Sequence, residues 1–204
     1  MQVRMNIGSV TLDGILELPH GIKPIVVFAH GSGSGRLSPR NGYVAGVLQD
    51  AGFGTLLFDL LTGEEDRIYQ NRFDIDLLAE RLAAATDWLL GRTEGTAIGY
   101  FGASTGAAAA LQASVKYSEV RAIVSRGGRP DLAWDCLESV RAPTLLIVGG
   151  LDQEVLMLNE RALGRLVTRK DLTIVPGATH LFEEPGTLEE VSKLAAAWFA
   201  EFLR

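Results

Sequence analysis

Residues 96–113 read TAIGYFGASTGAAAALQA. The first part, Thr96 to Phe101, is a short apolar run without charge. Runs of this kind form strands buried on both faces, as in a parallel sheet. The last part, Ala107 to Ala113, is built of strong helix formers. Between them Gly102-Ala103-Ser104-Thr105-Gly106 must turn a strand into a helix. As a bare string, Gly-x-Ser-x-Gly is weakly specific in a chain with 23 glycines. Its setting gives it weight. A serine at such a strand-to-helix turn sits on a strained backbone that lifts its hydroxyl above the sheet. The flanking glycines leave room where strand and helix crowd together. The helix N-terminus adds partial positive charge beside the hydroxyl. The plain alternative is a serine capping a helix after a glycine turn.

Similar apolar runs stand at Ile25–Ala29, Thr55–Asp59, Ala122–Val124, Leu145–Val148 and Leu172–Val175. Before them Val10, Leu12, Ile15, Leu16 and Leu18 belong to an early strand that ends at Pro19. Helical spacing appears at Ile75, Leu78, Leu82, Ala85 and Leu89, and again from Leu188 through Val191, Leu194 and Trp198 to Phe202. These stripes read as helix faces laid on a sheet. The order is two strands, then repeated strand–helix units. It predicts one α/β domain over residues 1–204, with a mainly parallel sheet, an antiparallel N-terminal strand and helices on both faces.

Composition narrows the function. The 204 residues carry 19 Lys and Arg against 25 Asp and Glu, a net charge of −6, with 47% hydrophobic and 22% charged residues. That is an ordinary globular balance and excludes a disordered chain. No basic stripe marks a nucleic-acid partner. No apolar stretch approaches the 18 or so residues of a membrane span. Cys136 is the single cysteine, which excludes a disulfide framework and a multi-cysteine zinc site. It lies in an apolar stretch near Trp134 and Leu137 and is expected to be a buried, inert thiol. The opening MQVRMNIGSVTLDG lacks the apolar core of a signal peptide, so a cytoplasmic protein is expected.

A serine nucleophile needs a base and an acid on the same sheet edge. Of the three histidines, His180 follows the last strand in Val175-Pro176-Gly177-Ala178-Thr179-His180. His20 sits in a Pro-His-Gly turn between early strands, and His30 ends a strand. Asp152 follows Leu145–Val148 through Gly149-Gly150-Leu151; Asp131, beyond Pro130, is its rival. The order Ser104, Asp152, His180 then sets each residue after a successive strand. His30-Gly31-Ser32-Gly33-Ser34-Gly35 also follows a strand. Its backbone is suited to an oxyanion: the N–H of Thr105 paired with that of Ser32, or of Gly31. The rival reading is a dinucleotide loop, with Gly31, Gly33 and Asp59. Arg36 occupies its third glycine position, and no Gly-Lys-Ser/Thr follows for a P-loop. Asp59 is expected to anchor the glycine loop. Arg126, in Ser125-Arg126-Gly127-Gly128-Arg129, is a candidate for holding a carboxylate or phosphate of a substrate, assisted by Arg36 and Arg40. The alternative ties Arg126 to an acidic loop such as Glu64-Glu65-Asp66.

HGSGSG at 30–35, GASTG at 102–106, Asp152 in GGLDQEV and His180 in PGATH together resemble the α/β-hydrolase superfamily, in its small dienelactone-hydrolase-like branch. The resemblance covers nearly the whole chain. It implies a serine hydrolase of small-molecule esters, without metal or cofactor, acting through an acyl-enzyme. Dienelactone hydrolases use a cysteine nucleophile; Ser104 in its place favours a carboxylesterase-like activity over a lactonase. Thioesterase, peptidase and acyltransferase activities share the machinery. A non-catalytic binding module is the reading from another class. Lidded members insert a cap before the next strand; here residues 126–143 give only 18 positions, so an open site without a cap domain is expected.

Overall fold

The computed structural model describes residues 1–19, 24–93 and 95–203. β1 (Gln2–Ile7) and β2 (Val10–Glu17) form an antiparallel hairpin, with Val3, Met5 and Ile7 turned inward. β3 (Ile25–Ala29), β4 (Gly54–Phe58), β5 (Ile98–Ala103), β6 (Val120–Arg126), β7 (Thr144–Gly149) and β8 (Lys170–Val175) complete one sheet. Its eight strands run β1-β2-β4-β3-β5-β6-β7-β8. β2 meets β4 antiparallel, and the pairings from β4 through to β8 are parallel.

The runs that form β3, β4, β5 and β7 are buried at every position, as their unbroken apolar character predicts. Leu172–Val175 carries the same pattern but ends up at the sheet's edge. There β8 is shielded incompletely, and Ile174 is 44% exposed. The early strand stops at Glu17, short of Leu18 and Pro19.

α1 (Pro39–Asp50) and α6 (Thr187–Phe202) cover one face of the sheet. Phe28 and Phe101 meet there at 5.0 Å between ring centroids, beside the buried Trp198 and Phe199. Each such buried side chain contributes about 1.5–3 kcal/mol. α3 (Ile75–Leu90), α4 (Thr105–Ser114) and α5 (Gln153–Arg165) cover the other face, while α2 (Gly63–Asp66) is a single turn. Asp74 starts α3 by accepting the Leu77 N–H at 3.0 Å. The segment between β6 and β7 forms short 3-10 turns over Pro130–Ser139, packed on α4 and α5. The described residues therefore contain no cap domain. None of their helices is long and apolar enough to cross a membrane.

Candidate active site

Ser104 stands between β5 and α4 at φ 51° and ψ −120°. Among the described residues only Ser104 and Phe182 combine a positive φ with a side chain. Such a position costs about 1–3 kcal/mol and persists only where the surroundings over-determine it. Here they do. The Ser104 N–H donates to the Arg126 carbonyl at 3.3 Å, and the Ser104 carbonyl accepts from Ala107 and Arg129, each at 3.1 Å. A methyl group on Gly102 would stand 2.4 Å from Ala107 Cα, and one on Gly106 2.1 Å from the Ala29 carbonyl oxygen. The turn closes only because neither side chain exists. The Ser104 side chain makes no capping bond to the helix it starts. The plain reading of a capping serine is therefore set aside.

Asp152 precedes α5 without capping it. Its Oδ2 instead accepts a hydrogen bond from His180 Nδ1 at 2.6 Å. That bond fixes the tautomer and leaves Nε2 as the basic nitrogen. Asp131, the rival acid, is engaged by Arg129 through two bonds of 2.8 Å. No hydrogen bond joins Ser104 Oγ to His180 among the described residues; such pairs often tighten only when substrate binds. Gly127 closes over the base: a methyl group there would stand 3.2 Å from the His180 carbonyl oxygen and 3.5 Å from Nδ1. Phe182, two residues on, is buried in a left-handed turn. The Gly127 contact does not announce itself in sequence, because it joins segments remote along the chain.

His30 uses both ring nitrogens structurally. Nδ1 donates to the Gly31 carbonyl at 2.9 Å, and Nε2 accepts the Leu60 N–H at 3.0 Å. Burial holds its pKa below the ordinary histidine value, against the opposing pull of the bond to the Gly31 carbonyl and of the Asp59 and Asp66 charges. His20 lies outside the described residues.

The glycine loop lies against the nucleophile: a methyl group on Gly31 would stand 3.0 Å from Ser104 Cβ. Gly31, Ser32 and Thr105 share the lining of one small cavity of about 10 Å³ with Leu61, Asp66, Arg72 and Leu78. Thr105 opens α4, where the first N–H groups have no helical acceptor. Asp59 anchors the loop by accepting the Arg36 N–H at 2.7 Å and pairing with its guanidinium. Arg36 is thereby occupied, and so is the acid that a dinucleotide reading requires.

The acidic turn near residue 65 has its own partners, Arg81 on Glu65 at 2.7 Å and Arg72 on Asp66 at 2.8 Å. Arg126 is not among them. It is 8% exposed, and its guanidinium carbon lies 5.8 Å from the Phe182 ring centroid. Burial, with the charge of Arg40, pushes its pKa down to about 10. Cys136 is half-buried, against the expectation of full burial. Its Sγ donates to the Ala133 carbonyl at 3.2 Å, and burial pushes the thiol up to about 11. No group of three or more His, Cys, Asp or Glu among the described residues is placed to hold a metal ion.

The chain is 56% identical to a dienelactone hydrolase from Anabaena variabilis, with a TM-score of 0.96 and coverage of 100% of this chain and 98% of that one. An esterase from Pyrococcus furiosus shares the fold at TM-score 0.82 and 19% identity, covering 100% of this chain and 91% of that one. So does an α/β serine hydrolase without a lid from Xanthomonas campestris, at 0.80 and 19%, covering 98% and 94%. A Mycobacterium tuberculosis (strain H37Rv) protein named as a candidate phosphoribosyl transferase is 60% identical over 205 residues, or 99% of this chain. The chain spans 46% of that relative's length. No protein-family model matches the chain.

Proposed function

The chain belongs to the α/β-hydrolases of the dienelactone hydrolase type, and from that premise we propose that it is a serine hydrolase cleaving ester-type bonds of a small molecule. Ser104 is the nucleophile, His180 the base and Asp152 the orienting acid. The observation that carries the reading is the 2.6 Å bond from His180 to Asp152 on the edge where Ser104 occupies its left-handed turn.

Ser104 Oγ attacks the acyl carbonyl while His180 Nε2 takes its proton. Asp152 stabilises the imidazolium that results. The carbonyl oxygen, now an anion, accepts from the N–H groups of Thr105 and Ser32. Each such donor contributes about 2.7–4 kcal/mol in the transition state. The intermediate collapses, and the leaving alcohol takes the proton from His180. Water, deprotonated by the same nitrogen, then cleaves the acyl-enzyme. A thiol ester or an amide would pass through the same steps, so the acyl group and its acceptor are matters for substrate screening.

The transferase name of the mycobacterial relative describes a protein more than twice as long as the shared stretch, which is 46% of it. We assign the hydrolase chemistry to that stretch alone. A fluorophosphonate probe followed by mass mapping tests the proposal. One adduct on Ser104, absent from Ser104→Ala, is expected. A folded wild type that stays unlabelled overturns the reading in favour of a binding module.

A further inference from the structure

Phe182 and Glu183, two and three residues past His180, bring a pair of arginines to the margin of the site. Arg126 is 8% exposed, and its Nε and Nη1 are buried without an acceptor. Among the described residues no carboxylate pairs with it; its guanidinium carbon lies 5.8 Å from the centroid of the Phe182 ring. The adjoining Glu183 holds Arg40 Nη1 at 2.6 Å, while Arg40 Nε is buried without a partner. A guanidinium removed from water without an acceptor is costly, and a second cation beside it raises the cost. An incoming anion relieves both.

The approach is open. Arg40 and Glu183 line a groove of about 630 Å³ that is also lined by Asp59 and by Ser32, the candidate oxyanion donor. A substrate with its acyl carbonyl at Ser32 can therefore lay a charged end against Arg40. The shape of the cationic pair selects among anions. A planar carboxylate is satisfied by one guanidinium fork, whereas a phosphate offers three oxygens to donors arriving from different sides. Here the donors come from two elements, Arg126 from the end of β6 and Arg40 from the first turn of α1. That turn carries no acidic residue, so its dipole adds to the positive field.

We propose that Arg40 and Arg126 form a subsite for a phosphate group carried by the ester substrate. The role in turnover rests on the hydrolase reading; binding of the anion does not. The experiment is therefore made on Ser104→Ala, by calorimetric titration with inorganic phosphate at low ionic strength. Saturable binding is expected, weakened about tenfold or more by Arg40→Met. Glu183→Gln, which frees Arg40 from its carboxylate, is expected to tighten it severalfold; no loss of folding imitates that gain. Arg126→Met, checked for folding, should behave as Arg40→Met. Acetate should bind at least about tenfold more weakly than phosphate. The proposal is overturned if the folded protein takes up no phosphate, if binding ignores both Arg40→Met and Glu183→Gln, or if acetate matches phosphate. Fluorophosphonate labelling of the wild type keeps the two readings apart. Labelling without phosphate binding sinks the subsite alone, and phosphate binding without labelling sinks the hydrolase alone.

Discussion

At residues 102–106 the chain passes from β5 into α4 with its backbone so close to β3 that a methyl group on Gly106 would stand 2.1 Å from the Ala29 carbonyl oxygen. At residues 176–186 it passes from β8 into α6 with backbone close to Gly149, where a methyl group would stand 2.4 Å from the Ala178 carbonyl oxygen, but its own glycines stand in open space. A methyl group on Gly177 would meet nothing within 4 Å. Ser104 is placed by exclusion, because no other path fits. His180 is assembled from separate contacts: Asp152 on its Nδ1, and Gly127 close to its ring and carbonyl. The first arm of the site is rigid through close packing, where one added atom is felt. The second is held by interactions that can be removed one at a time.

The sharpest way to break this comparison is to add one methyl group to each arm. Gly106→Ala is expected to yield no folded protein, because the obstacle is backbone that cannot swing aside. Its effect exceeds the roughly 1–3 kcal/mol usual for overpacking. Gly177→Ala, at φ +74° in open space, should cost only about 1 kcal/mol in urea denaturation. Equal losses at the two glycines would end the distinction.

Next in size is Asp152→Asn. The fold should survive, since the second arm is assembled and not wedged. Turnover of a short acyl ester should fall about ten-thousandfold as His180 loses its tautomer. A drop of less than about tenfold would remove Asp152 from the mechanism. Asp59→Asn probes the glycine loop that closes on the first arm. Losing the charge of its bonds to Arg36 should lower stability by about 1–3 kcal/mol, read from the urea midpoint.

The smallest effect is expected at His30. Its pKa in the fold is held below the ordinary value, chiefly by burial. The unfolded chain therefore takes up a proton that the folded one refuses. This contribution to stability is present above the ordinary histidine pKa and is lost as pH falls through it. A lower melting temperature at about pH 5.5 than at about pH 7.5 is the expected result. A melting temperature that rises on acidification would contradict it.

Much of the fold was legible because its signals are local. Unbroken apolar runs mark β3 to β7, and three- and four-residue spacing marks α3 and α6. The strand-to-helix turn at Ser104 follows from small residues set between a strand former and a helix former. The edge position of β8 was not legible, since Leu172–Val175 has the same composition as strands that are covered on both faces. Nor was the fate of the arginines. Arg36 and Arg126 each follow a strand and stand beside glycines, yet Arg36 pairs with Asp59 and Arg126 ends buried over Phe182.

By itself the sequence determined the order of strands and helices, the turn that exposes Ser104, and a short choice of acids and bases. Those features depend on the sterics of neighbouring residues and on periodicity, which a linear chain already contains. Tertiary structure decided that Asp152, 28 residues before His180, takes its Nδ1 while Asp131 is taken by Arg129. It also decided which arginine keeps its donors unspent. Both outcomes turn on which charged groups meet in space, and in a folded chain that is set by the register of the sheet and the packing of helices upon it.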